Sequence, residues 1–101
     1  MDIALFPGQN RQQWAHTMIN LEARKLVNTA NTVAAMHLSD SFTRLKFVDE
    51  IRQVVMQQFE AARRARNDED CITCLKKLRA ENDYLIEQSR MLKTGYAQIY
   101  A

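Results

Sequence analysis

The sequence predicts an all-α protein: an antiparallel bundle of three long helices, with a short C-terminal segment as a candidate fourth. Three observations carry that expectation. Glycine and proline are nearly absent, with 2 Gly and 1 Pro in 101 residues, placed at Pro7, Gly8 and Gly95. Average usage is about 7% Gly and 5% Pro. Apolar residues recur at steps of three and four through three long segments. Short polar clusters, not glycine loops, separate those segments. A P-loop, a dinucleotide-binding fingerprint and a hairpin-rich β fold are excluded, because each consumes glycine or proline in its turns.

The first helix is expected over about residues 9–38, with Asn10 as a candidate cap. Trp14, Met18 and Leu21 open its apolar stripe, and Ile19, Ala23, Leu26, Ala30, Val33 and Ala34 continue it. The stretch from Asn28 to Ala35 is rich in Ala, Thr and Asn, and such small side chains admit a neighbouring helix closely. Ser39-Asp40-Ser41 then supplies cap-type side chains, which accept hydrogen bonds from the free N–H groups that start the next helix.

The second helix is expected over about residues 42–66. Leu45, Val48, Ile51, Val55, Phe59 and Ala62 form its stripe, widened by Phe47 and Val54. Arg63, Arg64 and Arg66 close it, where cations are favourable against the negative end of the macrodipole. At the following turn, Asn67 suits the left-handed position after a helix and Asp68 suits a cap. The third helix is expected over about residues 69–93. Cys71, Leu75, Leu78, Asn82, Leu85, Ser89 and Leu92 fall at alternating steps of four and three, a two-heptad seam. Thr94-Gly95 ends it, and residues 95–101 form a short tail carrying Tyr96, Ile99 and Tyr100.

The whole chain, 1–101, reads as one domain. Lys+Arg 14 against Asp+Glu 12 gives a formal charge of +2, too small to argue a nucleic-acid or membrane partner by itself. Met1 to Phe6 has no basic start and its apolar run stops at Pro7, unlike a signal peptide. No apolar stretch approaches the ~20 residues that span a bilayer. Cys71 and Cys74 make no disulfide framework, which points to a reducing, cytoplasmic setting. Ile72, Ile86 and Met91 lie off the third seam, and this apolar excess predicts a homo-oligomer.

Candidate chemistry is sparse. Cys71-Ile72-Thr73-Cys74 offers two sulfurs on one helix side, half of a zinc site, but no second CxxC or His-x₃₋₅-His pair accompanies it. Packed structural thiols are the expected reading, with a small thiol or metal enzyme as a minor one. His16 and His37 stand beside no evident nucleophile and are expected in structural or surface roles. Asp49 with Glu50, and Glu81 with Asp83, are too close in sequence to face each other on a helix, so they form no catalytic dyad. Asn82 and Ser89 sit in an apolar seam, where a polar residue needs a partner within the chain or in another subunit. Arg63, Arg64 and Arg66, with Lys76, Lys77 and Arg79 across the turn, form the one basic concentration. They are either a solvated helix end or a phosphate-binding patch.

The stretch from Ser41 to Tyr100 carries a resemblance. Ser41-Phe42-Thr43 precedes a helix with Leu45, Ile51, Val55 and Phe59-Glu60-Ala61. After an acidic turn come Cys74-Leu75-Lys76-Lys77-Leu78-Arg79-Ala80-Glu81, Tyr84-Leu85-Ile86 and Met91-Leu92-Lys93, then Gly95-Tyr96. This pattern resembles the four-helix-bundle family of proteins encoded in 23S rRNA intervening sequences and of accessory variability determinants of diversity-generating retroelements. It covers about 60 residues, mostly as helix pattern. The resemblance implies a ring-forming, non-enzymatic bundle that, in the retroelement branch, associates with a reverse transcriptase and its RNA.

The expectation is therefore a non-catalytic, oligomeric helical accessory protein that binds RNA or a nucleic-acid enzyme through Arg63, Arg64, Arg66, Lys76, Lys77 and Arg79. Asn82, Leu85, Ile86, Ser89, Tyr96 and Tyr100 are the expected subunit or partner interface. No cofactor, metal, membrane or small-molecule substrate is expected. The alternative is a protein-only adaptor, chaperone or phage-type inhibitor that docks a partner through its apolar helix faces.

Overall fold

The three segments fold as helices that pack against one another in a computed structural model describing residues 11–93. They are α1 (Arg11–His37), α2 (Ser41–Arg64) and α3 (Asp68–Lys93), and there is no strand among the described residues. Asn10, the Thr94-Gly95 stop, Tyr96, Tyr100 and the candidate fourth segment lie outside those residues.

Local chemistry explains both turns. Asp40 is the N-cap of α2, with extended backbone at φ −91 and ψ 129. Its Oδ2 accepts from the Thr43 N–H at 2.8 Å and from the Thr43 hydroxyl at 2.9 Å. Arg44 donates from Nε to the Leu38 carbonyl, satisfying an acceptor at the end of α1.

The second turn differs from expectation in detail. α2 stops at Arg64, so Arg66 lies in the turn and not in the helix. Ala65 takes an extended conformation, φ −63 and ψ 135, and its N–H reaches the Ala62 carbonyl at 3.2 Å. Asn67, not Asp68, caps α3: its Oδ1 accepts from the Asp70 N–H at 2.9 Å. Asp68, Glu69 and Asp70 fill the first turn, where their charge opposes the positive end of the dipole.

Two sharp reversals make α1 and α3 parallel. Successive contacts climb both helices together. Arg11 pairs with Asp68 at 3.3 Å, Glu22 with Arg79 at 3.3 Å, and His37 with Ser89 at 2.9 Å. The α1–α3 interface is the most extensive of the three, and α2–α3 the least. α1 buries small residues, among them Ala15, Ala23, Ala30 and Ala34, which let its neighbours approach closely. Ile19 and Leu26 meet Leu75 and Leu78 in the fully buried centre of the core.

Two apolar stripes are narrower than expected. Leu45 is 70% exposed and Leu21 is 44% exposed. Arg44 is turned toward α1, and the buried face of α2 runs through Phe47, Val48, Ile51 and Val55, leaving Leu45 on the flank. On α1 the inward position beside Leu21 belongs to Glu22, a buried carboxylate.

Candidate nucleic-acid interface

The turn at Ala65–Asn67 brings the end of α2 and the start of α3 to one corner of the bundle. Arg63, Arg64, Arg66, Lys76 and Lys77, on these two helices and the turn between them, are all exposed. Arg64 and Lys77 line one groove between α2 and α3, of about 370 Å³, together with Gln58, Thr73 and Asp70.

The six expected cations are not equivalent. Arg63 is within 2.5 Å of Glu60, and Arg64 stands 4.0 Å from the same carboxylate. Both pairs are exposed, so each is worth well under about 1 kcal/mol and yields readily to a competing phosphate. Arg79 is different. It turns toward α1, where its Nε lies 3.3 Å from Glu22, whose side chain is only 6% exposed. Arg79 is committed to the fold and does not join the corner. Asp68, Glu69 and Asp70 crowd the same corner and offset part of its positive charge.

The residues expected at a subunit or partner interface also separate. Leu85 and Ser89 are buried within the protomer, and Ser89 Oγ meets His37 Nε2. Asn82 is half-buried, with its carboxamide 2.5 Å from Thr29 Oγ1. That hydroxyl is also 2.8 Å from the Lys25 carbonyl. Asn82 thus has its polar partner inside the chain. Ile86 is 52% exposed.

Two features escaped sequence reading. His16 Nε2 lies 3.7 Å from Cys71 Sγ, across 55 positions of sequence. Burial pushes the Cys71 thiol above its ordinary pKa, and Cys74, Asp70 and Asp68 add to the shift. Burial also raises Cys74, partly offset by Lys77. Thiolate is the reactive form, so both groups are held as packed thiols despite the neighbouring imidazole. The second feature is the buried carboxylate of Glu22, held between its long-range partner Arg79 and the exposed Lys25 one turn along α1.

Among the described residues, no group of three or more His, Cys, Asp or Glu is arranged to hold a metal ion. No helix there is long and apolar enough to cross a membrane. Fold and corner together define a small all-α bundle with a polar, partly basic end. No family model matches the chain, and no curated protein or solved structure matches it.

Proposed function

We propose that the protein is a non-catalytic helical accessory of the cytoplasm that binds RNA, alone or held by a nucleic-acid enzyme, through the α2–α3 corner. The observation that carries this reading is that Arg64 and Lys77 line one groove between α2 and α3, with Arg63, Arg66 and Lys76 also exposed on the same two helices and their turn. Cations of this kind contact phosphate and not base edges, so binding is salt-sensitive and weak in sequence preference. The acidic first turn of α3 keeps the affinity modest. The likeness of residues 41–100 to the intervening-sequence and retroelement accessory family supports the same reading. The two buried, unbridged thiols suit a reducing compartment.

Fluorescence anisotropy with labelled single-stranded RNA tests it. If about four phosphates are contacted, the slope of log K against log salt is roughly −3. Arg64→Glu with Lys77→Glu lowers affinity by about tenfold or more, whereas Arg79→Gln, allowing for its fold cost, lowers it far less. No binding at low salt, or binding indifferent to charge reversal at the corner, overturns the reading. That result favours the adaptor alternative, which rests on the exposed apolar side chains of α2 and α3, Tyr84 and Ile86 among them.

A further inference from the structure

One flank of α2 carries large apolar side chains that the described residues leave exposed. Phe42, Leu45 and Met56 are 74%, 70% and 55% exposed, although all three are large and apolar. They stand at steps of three and four with Asp49, Arg52 and the half-buried Phe59, the a/d spacing of a helix–helix seam. Leu45 and Arg52 line one groove between α1 and α2, and Phe59 lines a second one between the same helices. The α1 walls carry Ala23, Asn28, Asn31 and Ala35, with Arg24 as their one charged side chain. Asp49 and Arg52 form no ion pair with each other or with any other described residue.

The stripe is complementary to its own reverse. Read along the helix it is Phe42, Leu45, Asp49, Arg52, Met56 and Phe59: two apolar residues, an acid, a base, two apolar residues. Reversed about the point between Glu50 and Ile51, Phe42 meets the partner's Phe59 and Leu45 meets the partner's Met56. Asp49 meets the partner's Arg52, and two-fold symmetry repeats every pair. A parallel arrangement would instead set Asp49 against its own copy and Arg52 against its own copy. We infer that the chain forms a two-fold homodimer by antiparallel pairing of α2 along this stripe. Its occupant is a second copy because acid and base fall at equal distances on either side of the stripe's midpoint.

The apolar ends of the stripe supply attraction. The central ion pairs add little net affinity but penalise the alternatives: a parallel pairing sets like charges together, and a register slipped by one heptad sets each charge against an apolar side chain. An isologous contact of this kind closes on itself and does not propagate. The pairing is independent of whether the basic corner binds RNA, because it uses none of Arg63, Arg64, Arg66, Lys76 or Lys77.

Light scattering after size exclusion, over micromolar to high micromolar concentration, reads the assembly. The wild-type chain is expected at twice the chain mass at the upper end. Asp49→Arg and Arg52→Asp each place like charges together twice, and each raises the dimer Kd on the order of tenfold or more. The double variant D49R/R52D regains the wild-type Kd. Both sites are exposed, and circular dichroism of each variant verifies that the helices persist. A mixture of Leu45→Cys and Met56→Cys chains cross-links between the two chain types on mild oxidation, and Leu45→Cys alone does not. A monomeric wild type, single variants that dimerise unchanged, a double variant without recovery, or self-linked Leu45→Cys would each overturn the inference.

Discussion

Replacing Arg79 with alanine strips the Glu22 carboxylate of its interhelical partner. Glu22 is buried, and its side chain is 6% exposed against 32% for Arg79. At 3.3 Å and an effective dielectric of about 20, the gross attraction is about 5 kcal/mol. Two features reduce the net effect. Arg79 is partly solvated, and Lys25 remains 3.6 Å from the same carboxylate on an exposed side chain. A loss of about 2 kcal/mol is expected for Arg79→Ala, below the roughly 3–5 kcal/mol of a fully buried pair because Arg79 is partly solvated and Lys25 remains. In a domain of this size that lowers Tm by about 10 °C.

Glu22→Leu behaves differently, because it removes the buried charge itself, while Arg79 is already partly solvated. It changes stability by less than about 1 kcal/mol, in either direction. The double variant Glu22→Leu with Arg79→Ala is then more stable than Arg79→Ala alone. Urea unfolding of the four proteins closes the double-mutant cycle. The reasoning fails if Arg79→Ala costs less than about 0.5 kcal/mol, or if the two changes simply add.

Two further outcomes follow from the same contacts. Asp40→Ala removes the N-cap of α2 and lowers Tm, most clearly near neutral pH. The backbone and side-chain hydrogen bonds from Thr43 hold the Asp40 carboxyl below its ordinary value. Its folded pKa is therefore below its unfolded one, and the cap's contribution, present above about pH 4, is lost as pH falls through that region. A wild-type-to-variant Tm difference that grows toward acid would contradict this. Leu78→Ala opens a cavity at a fully buried position and costs about 2–5 kcal/mol in urea unfolding. A cost below about 1 kcal/mol would mean that the α1–α3 core is not packed around Leu78.

Much of the fold is legible because it is local. Steps of three and four mark each helix, and a polar cap three residues before a backbone N–H is visible at Asp40–Thr43. The misreadings are also local in origin. Arg44 and Leu45 differ by about 100° around α2, and apolar character favours Leu45 for the core. The open carbonyl of Leu38, at the end of another helix, draws Arg44 inward instead. Asn67 and Asp68 are both good caps, and backbone geometry decides between them. At the candidate site, the basic corner is foreseeable from the short turn. The diversion of Arg79 is not, because its partner Glu22 lies 57 positions away.

The sequence by itself determined three helices, their approximate ends and the short turn that brings Arg64 and Lys77 to one groove. All of these follow from hydrogen-bonding period, caps and a short turn. Tertiary structure decided the pairing of α1 and α3 across positions more than 50 residues apart. It also decided which polar groups are satisfied: Asn82 by Thr29, Ser89 by His37 and Glu22 by Arg79. A chain's period sets which side chains share a face. Whether that face is covered, and by what, depends on the shape and charge of the helix brought against it.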